Sequence, residues 1–180
     1  MTSKPPRYES ATWDDVPENI RNYVEKMRET RKGIYIHGSV GTGKTHIVYG
    51  IVEHLQEIPL KSWFLNTTEL FADMKKDFDR QPYDKKRWDD RMMEYRGVLV
   101  FDDIGAERPT DYVLEQFYLI INKRYNEMLP IIFTSNHSLG ELSEKVGDRI
   151  ASRIVEMCDV VHLGGDDKRI LKAKSTKNNG

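Results

Sequence analysis

The sequence predicts an α/β domain, three layers deep, built on a five-stranded and mostly parallel sheet. Two observations carry that prediction. Five short runs, GIYIHG (33–38), KSWFLN (61–66), GVLVFDD (97–103), PIIFTSN (130–136) and DVVHL (159–163), are apolar without strict alternation, as strands covered on both faces are. Between them lie stretches whose apolar residues recur every three or four positions, the pattern of helices that return the chain to the next parallel strand.

In chain order, residues 1–16 are polar, contain Pro5 and Pro6, and read as an extended arm ahead of a domain at 17–171. From Pro17 onward, Ile20, Tyr23, Val24 and Met27 keep helical spacing, and this helix ends before Gly33. A second helix carries Ile47, Val48, Ile51, Val52 and Leu55 on one side. Thr110 stands where it caps a helix bearing Val113, Phe117, Ile120 and Ile121, and SLGE (138–141) has the form of a capping box for the next. Residues 172–180 form a polar tail, expected to be disordered.

Composition narrows the possibilities. A chain of 180 residues is one domain's length and buries about 70% of the surface that its unfolded form exposes. With 38% hydrophobic and 32% charged residues and a net charge of −1, it has no global attraction for polyanions, so nucleic-acid contact requires a local patch or an assembly. The single cysteine, Cys158, excludes an internal disulfide or a cysteine zinc cluster. No run approaches the ~18 apolar residues of a membrane span, and there is no signal-peptide pattern, so a cytoplasmic location without membrane contact is expected.

Three motifs fall at the carboxyl ends of predicted strands, where parallel α/β sheets place ligands. The first is GSVGTGKT, which meets the G-x-x-x-x-G-K-[ST] pattern between a strand and an apolar helix. Such a loop wraps phosphate in backbone N–H groups, glycines permit the close approach, and the helix N-terminus adds a positive field. Gly38, Ser39, Val40, Gly41, Thr42, Gly43, Lys44, Thr45 and the adjoining His46 form the expected ATP-binding set; Lys44 reaches the outer phosphates and Thr45 the Mg²⁺. The second motif is the acid pair that ends VLVFDD: Asp102 as a metal acid, Asp103 as the group that orients or deprotonates water. Two adjacent carboxylates repel, and Mg²⁺ with Lys44 supplies the opposing charge. The third is the polar end of IIFTSN, where Asn136 suits a hydrogen bond to the attacking water or the γ-phosphate. Further on, GDRIASRI sets Arg149 and Arg153 on one helix face; most such pairs are solvated or salt-bridged, and the functional alternative is an arginine offered to a transferring phosphate, usually from a neighbouring chain. Arg169, in DDKR, is placed to touch nucleotide in its own chain.

Taken together, PPRY, GSVGTGKT, FDDIGAE, TSN, GDRIASRI and DDKR resemble, in order and approximate spacing, the AAA+ ATPases of the DnaC/DnaI helicase-loader and IstB transposition-helper group. The resemblance implies a P-loop strand between the last strand and the TSN strand, and no substantial helical lid. It assigns Asp102 as the Walker B acid, Asp103 as the catalytic acid in place of the usual glutamate, Asn136 as sensor 1, Arg153 as the finger and Arg169 as sensor 2. Glu107 belongs to the signature without a catalytic geometry of its own. Loaders of this group carry an N-terminal helicase-gripping domain, so the chain reads as an isolated ATPase domain or a small relative lacking that module.

The family also lines a single-strand DNA channel with the segment before Walker B. Here residues 68–96 hold Lys75, Lys76, Arg80, Lys85, Lys86, Arg87, Arg91 and Arg96, with Tyr83 and Trp88 as stacking surfaces, balanced by eight acids. The expectation is weak, oligomer-dependent binding of single-stranded DNA, with Lys172, Lys174 and Lys177 adding non-specific attraction. The functional expectation is a slow ATPase that loads or remodels a replicative helicase; the alternative is a transposition or phage accessory ATPase acting as a DNA-bound scaffold for a recombinase. A small-molecule kinase fits the acid pair and arginine helix poorly, and a GTPase is disfavoured because the base-reading Asn-Lys-x-Asp is missing: NKRY at 122 lacks the acid.

Overall fold

The computed structural model describes residues 4–78 and 88–165. All five expected strands form: β1 (Gly33–His37), β2 (Ser62–Asn66), β3 (Val98–Asp102), β4 (Ile131–Ser135) and β5 (Cys158–His162). They make one sheet in the order β2-β3-β4-β1-β5, and every neighbouring pair is parallel. β1 therefore lies between β5 and β4, the order that the family resemblance implied. The helices are α1 (Glu18–Thr30), α2 (Lys44–Glu57), α3 (Thr67–Phe78), α4 (Trp88–Glu94), α5 (Asp111–Asn126), α6 (Leu139–Val146) and α7 (Asp148–Met157). None of the described helices is long and apolar enough to cross a membrane.

Side chains alternate across the sheet and so divide the core in two. Ile34, Ile36, Val98, Val100 and Ile132 face α1 and α2, where they meet Ile20, Val24, Ile47 and Ile51. Tyr35, Leu99, Phe101, Ile131 and Phe133 point the other way, onto the layer of α3 to α7. That second face is aromatic: Phe101 meets the ring of Phe117 edge-on at 5.1 Å and stacks on Phe133 at 5.6 Å. Each such buried side chain contributes roughly 1.5–3 kcal/mol. The predicted caps are present. Thr110 accepts from the Val113 N–H at the start of α5, and Ser138 and Glu141 close a reciprocal box on α6.

Residues 4–16 differ from the extended arm read from their composition. They form a strap along α2, with short 3₁₀ turns at Pro6–Tyr8 and Trp13–Asp15. Ala11 and Val16 are buried; Tyr8 stacks on Tyr49 at 4.8 Å and Trp13 on His54 at 3.9 Å. Lys4 pairs with Glu53, and Asp15 with His46. The strap comes this close because α2 carries Gly50: a β-carbon there would lie 2.3 Å from the Thr12 carbonyl oxygen. Composition hid this docking because it is made by rings and carbonyls instead of an apolar stripe.

A second unexpected element is Arg124, fully buried in α5. Its guanidinium donates to the carbonyls of Tyr95, Gly97 and Pro130, tying the end of α5 to the starts of β3 and β4. Burial pulls it down to about 10, which leaves it charged at neutral pH.

Candidate nucleotide-binding site

The strands all end at one edge of the sheet, and the first three motifs meet there. His37 leads from β1 into the phosphate loop. The loop needs backbone that most residues avoid, and glycines supply it: Gly41 and Gly43 have φ of +82° and +100°, and Gly43 forms the N-cap of α2. Inside the loop, the Lys44 ammonium donates to the carbonyls of Gly38 and Ser39, each at 2.8 Å, and the Thr42 hydroxyl to Ser39. Lys44 and Thr42 are buried, whereas Ser39 and Val40 are exposed.

Asp102 is the last residue of β3 and is 3% exposed, which makes it a buried carboxylate. The Thr45 hydroxyl donates to its Oδ2 at 3.0 Å, and the Thr134 hydroxyl to its Oδ1 at 2.6 Å. Burial pushes the Asp102 carboxyl above the ordinary aspartate value; the Thr134 and Thr45 bonds act against that push, and Asp103 adds to it. Asp103 stands just past the strand, with φ of +62°. A left-handed turn of this kind is tolerated by short polar residues, which accounts for an aspartate here. Its backbone N–H donates to Thr134 Oγ1 at 2.8 Å, and its carboxylate accepts from Asn136 Nδ2 at 2.9 Å. One threonine thus fixes both acids. The Ser135 hydroxyl donates to the Ile104 carbonyl and accepts from the His137 N–H, which holds the loop after β3 against the loop after β4.

These groups surround a cavity of about 540 Å³, walled by Val40, Gly41 and Gly43 to His46 on one side and by Asp103, Thr134 and Asn136 on the other. Arg7 and Tyr8 of the strap complete the wall. Sequence reasoning assigned no role to Arg7, Tyr8 or Thr134. A polar residue ending a buried strand was the available signal for Thr134; the strap residues had none apart from their place in PPRY.

Arg149 and Arg153 share a face of α7, as their spacing required, but that face lies on α5 and neither lines this cavity. Arg169 and the tail lysines lie outside the described residues, as do Arg80, Tyr83, Lys85, Lys86, Arg87 and the side chain of Trp88. Of the remaining basic residues before β3, Lys76 pairs with Asp73, Arg96 with Glu127, and Arg91 sits over the ring of Trp63.

Comparison with known proteins agrees with this geometry. The replicative helicase loader DnaI of Bacillus subtilis is 27% identical over 167 residues, spanning 84% of this chain and 53% of the loader. The phage-like element PBSX protein XkdC of the same organism is 31% identical over 156 residues, spanning 80% of this chain and 56% of that protein. The chain thus spans about half the length of these curated relatives. A crystal structure of the DnaC helicase loader superposes with a TM-score of 0.75 at 27% identity, covering 88% of this chain and 99% of the other. The family model for IstB-like ATP binding proteins matches residues 22–177. A P-loop and an acid pair meeting at one edge of a β2-β3-β4-β1-β5 sheet, together with that match, place this chain in the IstB-like family of ATP-binding proteins, as an AAA+ domain similar in fold to that of the DnaC helicase loader.

Proposed function

We propose that the chain hydrolyses ATP as an oligomeric DNA-replication protein of the helicase-loader type, acting on a replicative helicase and single-stranded DNA. The observation that carries this reading is the bond from Thr45 to Asp102, which joins the first turn of α2 to the end of β3 at 3.0 Å. A hydroxyl and a buried carboxylate side by side are the oxygen donors that a P-loop protein offers to Mg²⁺, with phosphate oxygens and water completing the shell. The upward push on the Asp102 carboxyl is what a cation at this point would relieve. When bound, Mg²⁺ supplies charge neutralisation between the outer phosphates.

The chain's own groups account for the remaining steps. Lys44 exchanges the carbonyls of Gly38 and Ser39 for phosphate oxygens. Asp103, held by Asn136 and by its N–H bond to Thr134, orients the attacking water and accepts its proton. Asn136 shares its amide with the γ-phosphate, Arg7 and Tyr8 enclose the nucleotide from the strap side, and Arg169 contacts it in the same chain. Arg153 lies on a different face from the cavity, so it serves a neighbouring copy; isolated monomers turn over slowly. Asp103→Asn tests the core of this scheme: binding of ATP persists and hydrolysis falls, and parent-rate hydrolysis by this variant refutes the role.

A second reading, a transposition or phage accessory ATPase that holds a recombinase on DNA, is supported by the IstB-like family match and by the phage-element relative. ATP-dependent capture of a replicative helicase from source-cell extract supports the first reading. Filaments on duplex DNA with capture of a transposase support the second.

A further inference from the structure

The face between α5 and α7 holds a ladder of paired side chains that the scheme above does not use. On α5, Tyr118, Asn122 and Tyr125 fall at i, i+4 and i+7, so they line one side of the helix. On α7, Arg149, Arg153 and Glu156 do the same. The two rows interdigitate. The Arg149 guanidinium lies 4.1 Å from the centre of the Tyr118 ring, and that of Arg153 lies 4.3 Å from the Tyr125 ring. Arg153 Nε donates to Asn122 Oδ1 at 3.3 Å, the Tyr125 hydroxyl donates to Glu156, and Glu156 stands 3.7 Å from Arg153 Nη1.

This arrangement differs from an internal staple in what it leaves unspent. A guanidinium has five N–H groups in a fixed fork, and stacking on a ring consumes none of them. Arg153 commits Nε to Asn122 and sets Nη1 3.7 Å from Glu156, so part of the fork is engaged, but its side chain keeps 31% exposure and the remaining N–H capacity faces outward to a partner. A long, flexible side chain that must meet a phosphate across a subunit boundary loses rotamer freedom on doing so; a ledge that has already fixed its stem removes that cost. α5 is suited to be the ledge. It is anchored at its far end by the buried Arg124, and it begins at the Thr110 cap directly after the loop that carries Asp103.

We infer that Tyr125 and Asn122 are positioning residues: they hold the Arg153 guanidinium extended for the nucleotide site of a second copy of this chain, with Tyr118 doing the same for Arg149 beside it. This inference rests on the proposed ATPase and its trans-acting arginine. Neither Tyr125 nor Asn122 lines the cavity of its own chain.

The test is DNA-stimulated ATP hydrolysis by the full chain, with fluorescent-ATP binding measured alongside. Tyr125→Ala and Asn122→Ala are expected to lower hydrolysis about 10- to 100-fold while nucleotide affinity, a property of the chain's own cavity, stays at the parent value. Tyr125→Phe, which keeps the ring, recovers most of the rate. Mixing is the decisive step. Asp103→Asn chains cannot hydrolyse but carry an intact ladder, so adding them in equal amount restores hydrolysis to Tyr125→Ala chains, whose own sites are intact. Should Tyr125→Ala fail to fold, Tyr125→Leu takes its place. A fall in rate that mixing does not restore, or parent rates for both ladder variants alongside a slow Arg153→Ala, overturns the ledge and leaves the finger standing. Parent-rate hydrolysis by Arg153→Ala overturns the finger and the ledge with it, and a parent chain without ATP hydrolysis overturns the proposed function as well.

Discussion

Replacing Gly50 by alanine sets a gain in helix stability against a loss of strap docking. Gly50 is in the middle of α2, where alanine is favoured over glycine by about 1 kcal/mol. The added β-carbon, however, would lie 2.3 Å from the Thr12 carbonyl oxygen and 3.1 Å from a Val16 methyl. Ordinary contact requires the strap to move out by roughly 1 Å, and overpacking of this kind costs about 1–3 kcal/mol. The two terms nearly cancel for the fold, because β1 and the helix itself do not move. They do not cancel for the cavity, since the displaced strap carries Arg7 and Tyr8. Loss of one ring from a nucleotide base costs about 1–3 kcal/mol, which is a roughly five- to 150-fold weaker Kd. The assay is titration with a fluorescent ATP analogue beside a thermal melt. The expected result is a melting temperature within a few degrees of the parent and affinity lowered about tenfold. Unchanged affinity would refute the strap's place in the nucleotide site; a collapsed melt would refute the claim that strap and core are separable.

Three further outcomes follow from the site and its supports. Asp102→Asn should raise the melting temperature of the nucleotide-free protein at pH 7 and abolish stabilisation by Mg²⁺ with ATP. Because burial raises this carboxyl above 3.8, its contribution to stability is full below the ordinary aspartate value and lost as pH rises through the raised one, so the variant's advantage should shrink on acidification in melts from pH 4 to 8. Thr134→Val keeps the side-chain shape but strands the Asp103 N–H, which costs about 1–3 kcal/mol, and it should depress hydrolysis more than binding, measured by the same titration and a phosphate-release assay. Arg124→Met removes a buried cation from three carbonyls and should destabilise the fold by about 3–5 kcal/mol in urea unfolding; a loss under 1 kcal/mol would show that water replaces the guanidinium.

What could be read from the sequence was what local pattern encodes. The five strands and the cap at Thr110 announce themselves within a few residues, and the phosphate loop and acid pair are short motifs with a fixed physical requirement. Their meeting at one edge followed from strand polarity, since each motif closes a parallel strand. The strap was missed because its docking depends on Gly50, over thirty residues away, and on ring pairs whose partners no local pattern names. Arg124 left a signal that went unread: it continues the core-facing series of Val113, Phe117, Ile120 and Ile121, where a charge implies a buried set of acceptors. The turn at Asp103 is similar in kind, for a backbone angle is legible only when glycine advertises it.

The strap has a mechanical consequence. Lys4 grips Glu53 and the Ala11 carbonyl, and only Pro5 and Pro6 separate it from the two residues that wall the cavity. Proline fixes φ, so this link is short and stiff. Whatever is joined ahead of Lys4 is therefore attached to a lever whose other end is Arg7 and Tyr8. Breaking the Lys4 grip on Glu53 would therefore loosen the same wall of the cavity that Arg7 and Tyr8 form.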